Sequence, residues 1–272
     1  MKNTLLSMRL VALLLSASAL ALANGAQAAE PGRVLLLGEV HDNAVQHALR
    51  LEALRSLLAS GARPALLMEQ FDREKQADID RLRAAPTRPD ADALIAAAGG
   101  AGQWDWALYR PFVQLALSHD LPLLAANVSR QDARRVMSAG LADSGFDAQV
   151  PADISRAHTA AIEASHCGMV DAPLAGRMAT AQIARDQFMA RLIDANAARG
   201  AVLLAGNGHV RTDSGVPRWL SPATRSRAVA VGYLEEGDDS ASAYDRVVTT
   251  PRQPRADPCA GMRAPAPLTP TV

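Results

Sequence analysis

Val34-Leu35-Leu36-Leu37-Gly38-Glu39-Val40-His41-Asp42-Asn43 is a short apolar run that breaks into a polar turn, and Ala201-Val202-Leu203-Leu204-Ala205-Gly206-Asn207-Gly208-His209 repeats the arrangement. Each reads as a buried strand that ends by delivering a histidine. Continuously apolar, Val/Leu-rich strands belong to parallel sheets covered by helices on both faces, and such sheets take ligands outside the carboxyl ends of their strands. Two histidines far apart in sequence are thereby expected on one rim.

Working outward, Asp42 to Ser60 is predicted to be a helix. Asp42 or Asn43 would be its N-cap, Val45, Leu49, Leu54, Leu57 and Leu58 its apolar face, and Gly61 follows its end. Ala65 to Met68 is a further buried run that stops at Glu69-Gln70. Leu121 to Ala126 stops at Asn127, with Pro122 marking a strand start or a sheet edge. With Arg227 to Tyr233 and Arg246 to Thr249, the fold class is α/β, a mostly parallel sheet of about six strands flanked by helices. Short helices are expected over 72–85 and 89–98, ahead of the aromatic cluster Trp104, Trp106, Tyr109 and Phe112. Residues 128 to 200 exceed what one crossover helix needs, and are predicted to hold a small helical subdomain over the carboxyl edge. The resulting organisation is one domain over 29–250 with helical insertions at about 71–118 and 128–180.

The start of the chain has Lys2 and Arg9, an apolar stretch from Leu10 to Leu22, and Ala26-Gln27-Ala28, the small-x-small form that signal peptidase cuts after. Residues 1–28 are therefore expected to be a secretory signal peptide, leaving an exported, periplasmic protein. The apolar stretch is too short to span a bilayer, which takes roughly 20 residues, and no later stretch approaches that. The first cysteine is Cys167, so the cysteine of a lipoprotein cleavage site is missing. Residues 1–28 contain two basic residues and no acid; of 28 basic and 28 acidic residues, 26 and 28 remain, a formal charge of −2. That balance points to no nucleic-acid or anionic-membrane partner. Cys167 and Cys259 are the only cysteines, and an oxidising compartment favours one structural disulfide over two free thiols or a redox pair. The stretch 251–272 contains six prolines, and apart from Cys259 it reads as a poorly ordered tail.

The residues that leave the predicted carboxyl edge are Glu39 and His41, Glu69, Asn127, and Asn207 and His209, with Asn43 in support. Two carboxylates, two imidazoles and several amides in one crevice can bind a divalent metal, orient a water or hold a polar substrate. The helix expected over Arg177 to Ala198 has a stripe of Met178, Ala181, Ala184, Phe188 and Leu192, with Arg185 on its flank. An arginine there needs an acidic partner, such as Glu39, Glu69 or a group near Asp186, or else a bound anion. His166-Cys167-Gly168-Met169 offers three soft or borderline ligands in four residues, a metal or haem contact if Cys167 is not in a disulfide and Met169 is not packed. His47, His119 and His158 lack partners at ligand spacing, although His47 follows Asn43 by one turn. The chain has no Gly-x-Ser-x-Gly elbow, phosphate loop, dinucleotide fingerprint or Cys-x-x-Cys-His, which removes serine hydrolase, NTPase, NAD and c-type haem readings.

Together Gly38 to Asn43, Met68-Glu69-Gln70-Phe71, Trp104 to Pro111, Gln182 to Ala190 and Gly206-Asn207-Gly208-His209 resemble the ChaN family of haem-binding, iron-uptake proteins within the Tiki/TraB/erythromycin-esterase superfamily. The resemblance spans about Gly32 to Leu234. It implies haem as ligand, a homodimer around stacked haems with a tyrosine on the iron, and a haem transporter or receptor as partner. Tyr109, Tyr233 and Tyr244 are the only tyrosines, and Tyr109, beside the tryptophans, is the nearest match, with His166 a second haem candidate. The hydrolase relatives imply an alternative, in which Glu39, His41, Glu69, Arg185 and His209 form a catalytic centre. There Glu39, His41, Glu69 and His209 would hold a divalent metal, or a histidine and a glutamate would activate water directly.

Overall fold

The computed structural model describes residues 32–100, 104–257 and 259–260. The signal peptide expected over 1–28 and the last residues of the tail lie outside these. The strands are β1 (Val34–Leu37), β2 (Ala65–Asp72), β3 (Leu123–Asn127), β4 (Ala201–Leu204), β5 (Ala228–Glu235) and β6 (Arg246–Thr250). They form one sheet in the order β3-β2-β4-β1-β5-β6, with every neighbouring pair parallel. The helices are α1 (Ala44–Ala59), α2 (Gln76–Arg83), α3 (Ala91–Ala97), α4 (Trp106–Ser118), α5 (Arg130–Asp143), α6 (Ala152–Ser165), α7 (Ala172–Asn196) and two single turns, α8 (Asn207–Val210) and α9 (Pro222–Arg225).

The strands are apolar on both faces because both faces are covered. In β1 and β4, Leu37, Val202 and Leu204 pack with Leu54 of α1 and Phe112 of α4. The alternate residues Val34, Leu36, Ala201 and Leu203 pack with Met189, Ala190 and Ile193 of α7 on the opposite side, the two-residue period of extended chain. Pro122 immediately precedes β3, an edge strand, where a missing N–H costs no ladder bond. β4 lies between β1 and β2, so the chain returns from the far edge to the middle of the sheet. The loops that follow β1, β2 and β4 thereby converge. The stretch between β3 and β4 is helical, α5 to α7, and Gly140 at φ +87° is what allows α5 to turn sharply before its last residues.

Three expectations need correction. First, α1 buries Gln46, His47 and Arg50 with Leu54 and Leu58, while Val45 and Leu49 are 42% and 41% exposed. Asn43 is the N-cap, its side chain accepting from the Gln46 N–H. The buried arginine is what rotates the helix, since its guanidinium is drawn to Glu39 at the end of β1. Second, α7 begins five residues earlier than expected and buries Ala175, Ala179, Ile183, Asp186, Met189 and Ile193 rather than a narrow stripe, because it is wedged between the sheet and α5 and α6. Third, residues 251–257 are pinned. The Arg255 guanidinium donates to Asp42 and Glu235, and the Gln253 N–H to Glu235. Two carboxylates facing one guanidinium leave no reason for that stretch to be loose. Beyond it, Cys259 is joined to Cys167 at the end of α6.

Candidate functional site

At the end of β1, Glu39 is 2% exposed and surrounded by donors. The buried Arg50 guanidinium forms an ion pair with Oε2, the Tyr109 hydroxyl donates to Oε1 at 2.5 Å, and His41 Nδ1 lies 2.8 Å from the same oxygen. Arg50 also donates to the Leu37 carbonyl at 3.0 Å and stands over the Phe112 ring. A buried carboxylate and guanidinium hold only because each has the other; removing one partner typically costs about 3–5 kcal/mol. His47 Nε2 donates to the His41 carbonyl at 2.9 Å, and burial lowers the His47 pKa. Behind Glu39, Tyr109 meets the rings of His47, Trp104 and Trp106 edge to face, and Trp106 stacks on Phe71. Desolvation there pushes the Tyr109 hydroxyl well above its ordinary pKa.

A second cluster forms where β2, β4 and α7 meet. His209 Nδ1 lies 2.6 Å from Asp186 Oδ1, and its Nε2 lies 3.5 Å from Glu69 Oε1. The Gly206 N–H donates to Glu69 Oε2 at 2.8 Å, and His158 Nε2 lies 3.2 Å from the other oxygen of Asp186. Burial alone would lower the His209 pKa, but Asp186 and Glu69 on either side outweigh it and lift it to about 10. Burial would raise Glu69, yet the His209 charge and hydrogen bond hold it down at about 2. His209 is thus a fixed cation clamped between two carboxylates. Asn207 locks this loop to its neighbours, its side chain exchanging two hydrogen bonds with the Tyr233 backbone and its N–H donating to the Glu39 carbonyl.

The two clusters flank a cavity of about 1000 Å³ between the carboxyl ends of the strands and the helices. This is at the upper end of small-molecule sites, roughly 300–1000 Å³. Its apolar lining comes from Trp104, Trp106, Ala98, Ala161 and Ile162, its polar lining from His41, Glu69, Asn127 and His209, and Arg130, Arg185 and Arg211 with Asp72 and Asp238 add charge. Arg185 donates through Nε to Asn127 at 3.1 Å and, among the described residues, has no carboxylate in ion-pair range. Desolvation lowers its pKa, opposed by the fields of Glu69, Asp186 and Asp72. Aromatic and aliphatic side chains together with three arginines in one cavity suit a flat apolar ligand bearing anionic groups.

The rim expected from sequence is therefore assembled around Glu39, His41, Glu69, Asn127, Arg185, Asn207 and His209. Among the described residues no group of three or more His, Cys, Asp or Glu is placed to hold a metal ion. In this arrangement Arg50, Tyr109 and His41 engage Glu39, and both His209 nitrogens face carboxylates. Asn43 stands behind the rim, where it donates to Glu235. Tyr109 is 1% exposed and lies behind the residues that line the cavity, so its hydroxyl oxygen is not presented to a ligand there. His166 follows α6 with Nδ1 2.8 Å from the Ile162 carbonyl, beside the disulfide and outside the cavity wall. Arg50 is not among the residues expected from sequence, and Asp186 and His158, expected as a possible neighbour of Arg185 and as a histidine without partners, instead meet each other at 3.2 Å. The signal was present in a charged or polar residue on an otherwise apolar helical face, such as Arg185-Asp186-Gln187 within α7.

A parallel sheet with a histidine–carboxylate rim and a capped cavity over its carboxyl edge defines an α/β ligand-binding protein. The chain belongs to the haem-binding uptake family ChaN of the Tiki superfamily, whose sequence profile matches residues 26–220. The solved structure of ChaN from Campylobacter jejuni, which binds haem cofacially, has a TM-score of 0.68 at 20% identity, covering 80% of this chain and 86% of that one. The type III effector HopBA1 has a TM-score of 0.44 at 13% identity over 81% of this chain and 88% of that one. The erythromycin esterase EreC has 0.42 at 13% over 78% and 71%. No curated protein matches significantly.

Proposed function

We propose that this protein binds haem in the cavity over the carboxyl edge, as an exported member of a haem-uptake system. The observation that carries this is the pairing of family membership with a cavity of matching chemistry: tryptophan and aliphatic side chains for the macrocycle, Arg130 and Arg185 for the propionates. The amino-terminal sequence supports export, and among the described residues no helix is long and apolar enough to cross a membrane. A cofacial arrangement like that of the Campylobacter jejuni protein would bring two copies of this chain together, and a haem transporter or receptor would be the partner that supplies or removes the ligand.

Titrating the purified protein with haemin tests this. A saturable Soret shift is expected; a spectrum equal to free haemin plus protein at all ratios would overturn it. A hydrolytic role gains nothing from the geometry. His209, protonated between Asp186 and Glu69, has no lone pair with which to accept a proton from water.

A further inference from the structure

Haem iron takes a lone pair delivered into its pocket, and the side chains around this cavity differ sharply in what they have left to give. The ring nitrogens of His209 both face carboxylates. The His158 side chain is only 10% exposed, wedged with Nε2 3.1 Å from the Ser214 carbonyl and 3.2 Å from Asp186, which leaves its ring little face toward the cavity. Tyr109 is 1% exposed, and both it and His166 lie outside the cavity wall.

His41 is different. Glu39, paired with Arg50, only accepts, so its contact fixes the proton on His41 Nδ1, and the imidazole tautomer with that proton has its lone pair on Nε2. Nε2 makes no hydrogen bond among the described residues, and the side chain is 49% exposed in the cavity wall. The ring is held from the side by the edge of Trp104, with centroids 4.9 Å apart. Gly206 keeps the space clear: a Cβ there would lie 3.2 Å from Nε2 and 3.0 Å from Cε1.

We propose that His41 Nε2 is the ligand to haem iron in this chain, with Glu39 anchoring the ring through Nδ1. This rests on the haem-binding function above. It assigns the ligand to a histidine rather than to a tyrosine. An imidazole whose second nitrogen donates to a carboxylate is a more basic ligand, fixed in orientation, and favours ferric iron.

Haemin titrations of the wild type, His41→Ala, His41→Tyr and His166→Ala, followed by absorbance, test it. His41→Ala is expected to weaken haemin binding at least about tenfold and to lose the wild-type Soret position, which added imidazole restores. His41→Tyr, which keeps a donor at the site, is expected to bind with a phenolate charge-transfer band in the visible. A half-exposed side chain is a mild site to change, and circular dichroism confirms that each variant is folded. If wild type binds haemin and His41→Ala keeps both its affinity and its spectrum, or if the loss follows His166→Ala instead, the ligand assignment falls while haem binding stands. If wild type binds no haemin, the proposed function falls and the ligand assignment with it.

Discussion

Glu69, His209 and Asp186 make the stability of this protein depend on pH in both directions. Folded His209 holds its proton up to about 10 against an ordinary 6.5, so its contribution is complete below about pH 6.5 and is lost as pH rises through 10. Folded Glu69 releases its proton at about 2 against 4.5, so its contribution is complete above pH 4.5 and is lost as pH falls through 2. Both shifts describe one cluster and are not added. Urea midpoints are expected to be flat between about pH 4.5 and 6.5 and to decline on either side, with Asp186→Asn flattening the alkaline limb. A wild-type profile level from pH 6.5 to 10 would refute the clamped cation. Of this cluster, Glu69 and His209 were legible because each follows an apolar strand run, where the fold rule fixes the rim. Asp186 was not, because a helical residue gains its place from the packing of α7 on two sides, which no local pattern encodes.

At the scale of elements, α1 shows where hydropathy misleads. Val45 and Leu49 fit an apolar stripe, yet the helix turns them outward, because a fully buried ion pair between Arg50 and Glu39 outranks two aliphatic contacts in setting its rotation. Leu49→Lys is therefore expected to change stability by no more than about 0.5 kcal/mol. Asn43→Ala is expected to cost about 1–2 kcal/mol, since the side chain caps α1 through the Gln46 N–H and donates to Glu235. Chemical denaturation of the two variants side by side checks the ranking; a larger loss for Leu49→Lys would mean that α1 is rotated by about half a turn. Strand positions, by contrast, followed directly from sequence, because a run apolar on both faces has few alternatives once helices are available to cover it.

At the scale of the whole molecule, the sheet, the cap and the tail are tied where the chain itself does not connect them. Arg255 fastens the tail to Asp42 and Glu235 at the sheet, and Cys259 fastens it to Cys167 at the end of α6. The first half of this arrangement was invisible in a proline-rich stretch, since an arginine in a tail announces nothing until two carboxylates are placed opposite it. The second half was legible from the cysteine count alone, once export was expected.

The bond between Cys167 and Cys259 spans 92 residues, and that span contains α7 and the strands β4, β5 and β6. It makes a covalent ring of half the sheet and the helix laid across it. A single backbone cut anywhere in the ring, for example in the exposed turn at Gly237-Asp238, opens a circle rather than severing a chain. On a denaturing gel the nicked protein is expected to run as one species until a reductant is added and then to part into two; separation without reductant would show that the ring is not closed.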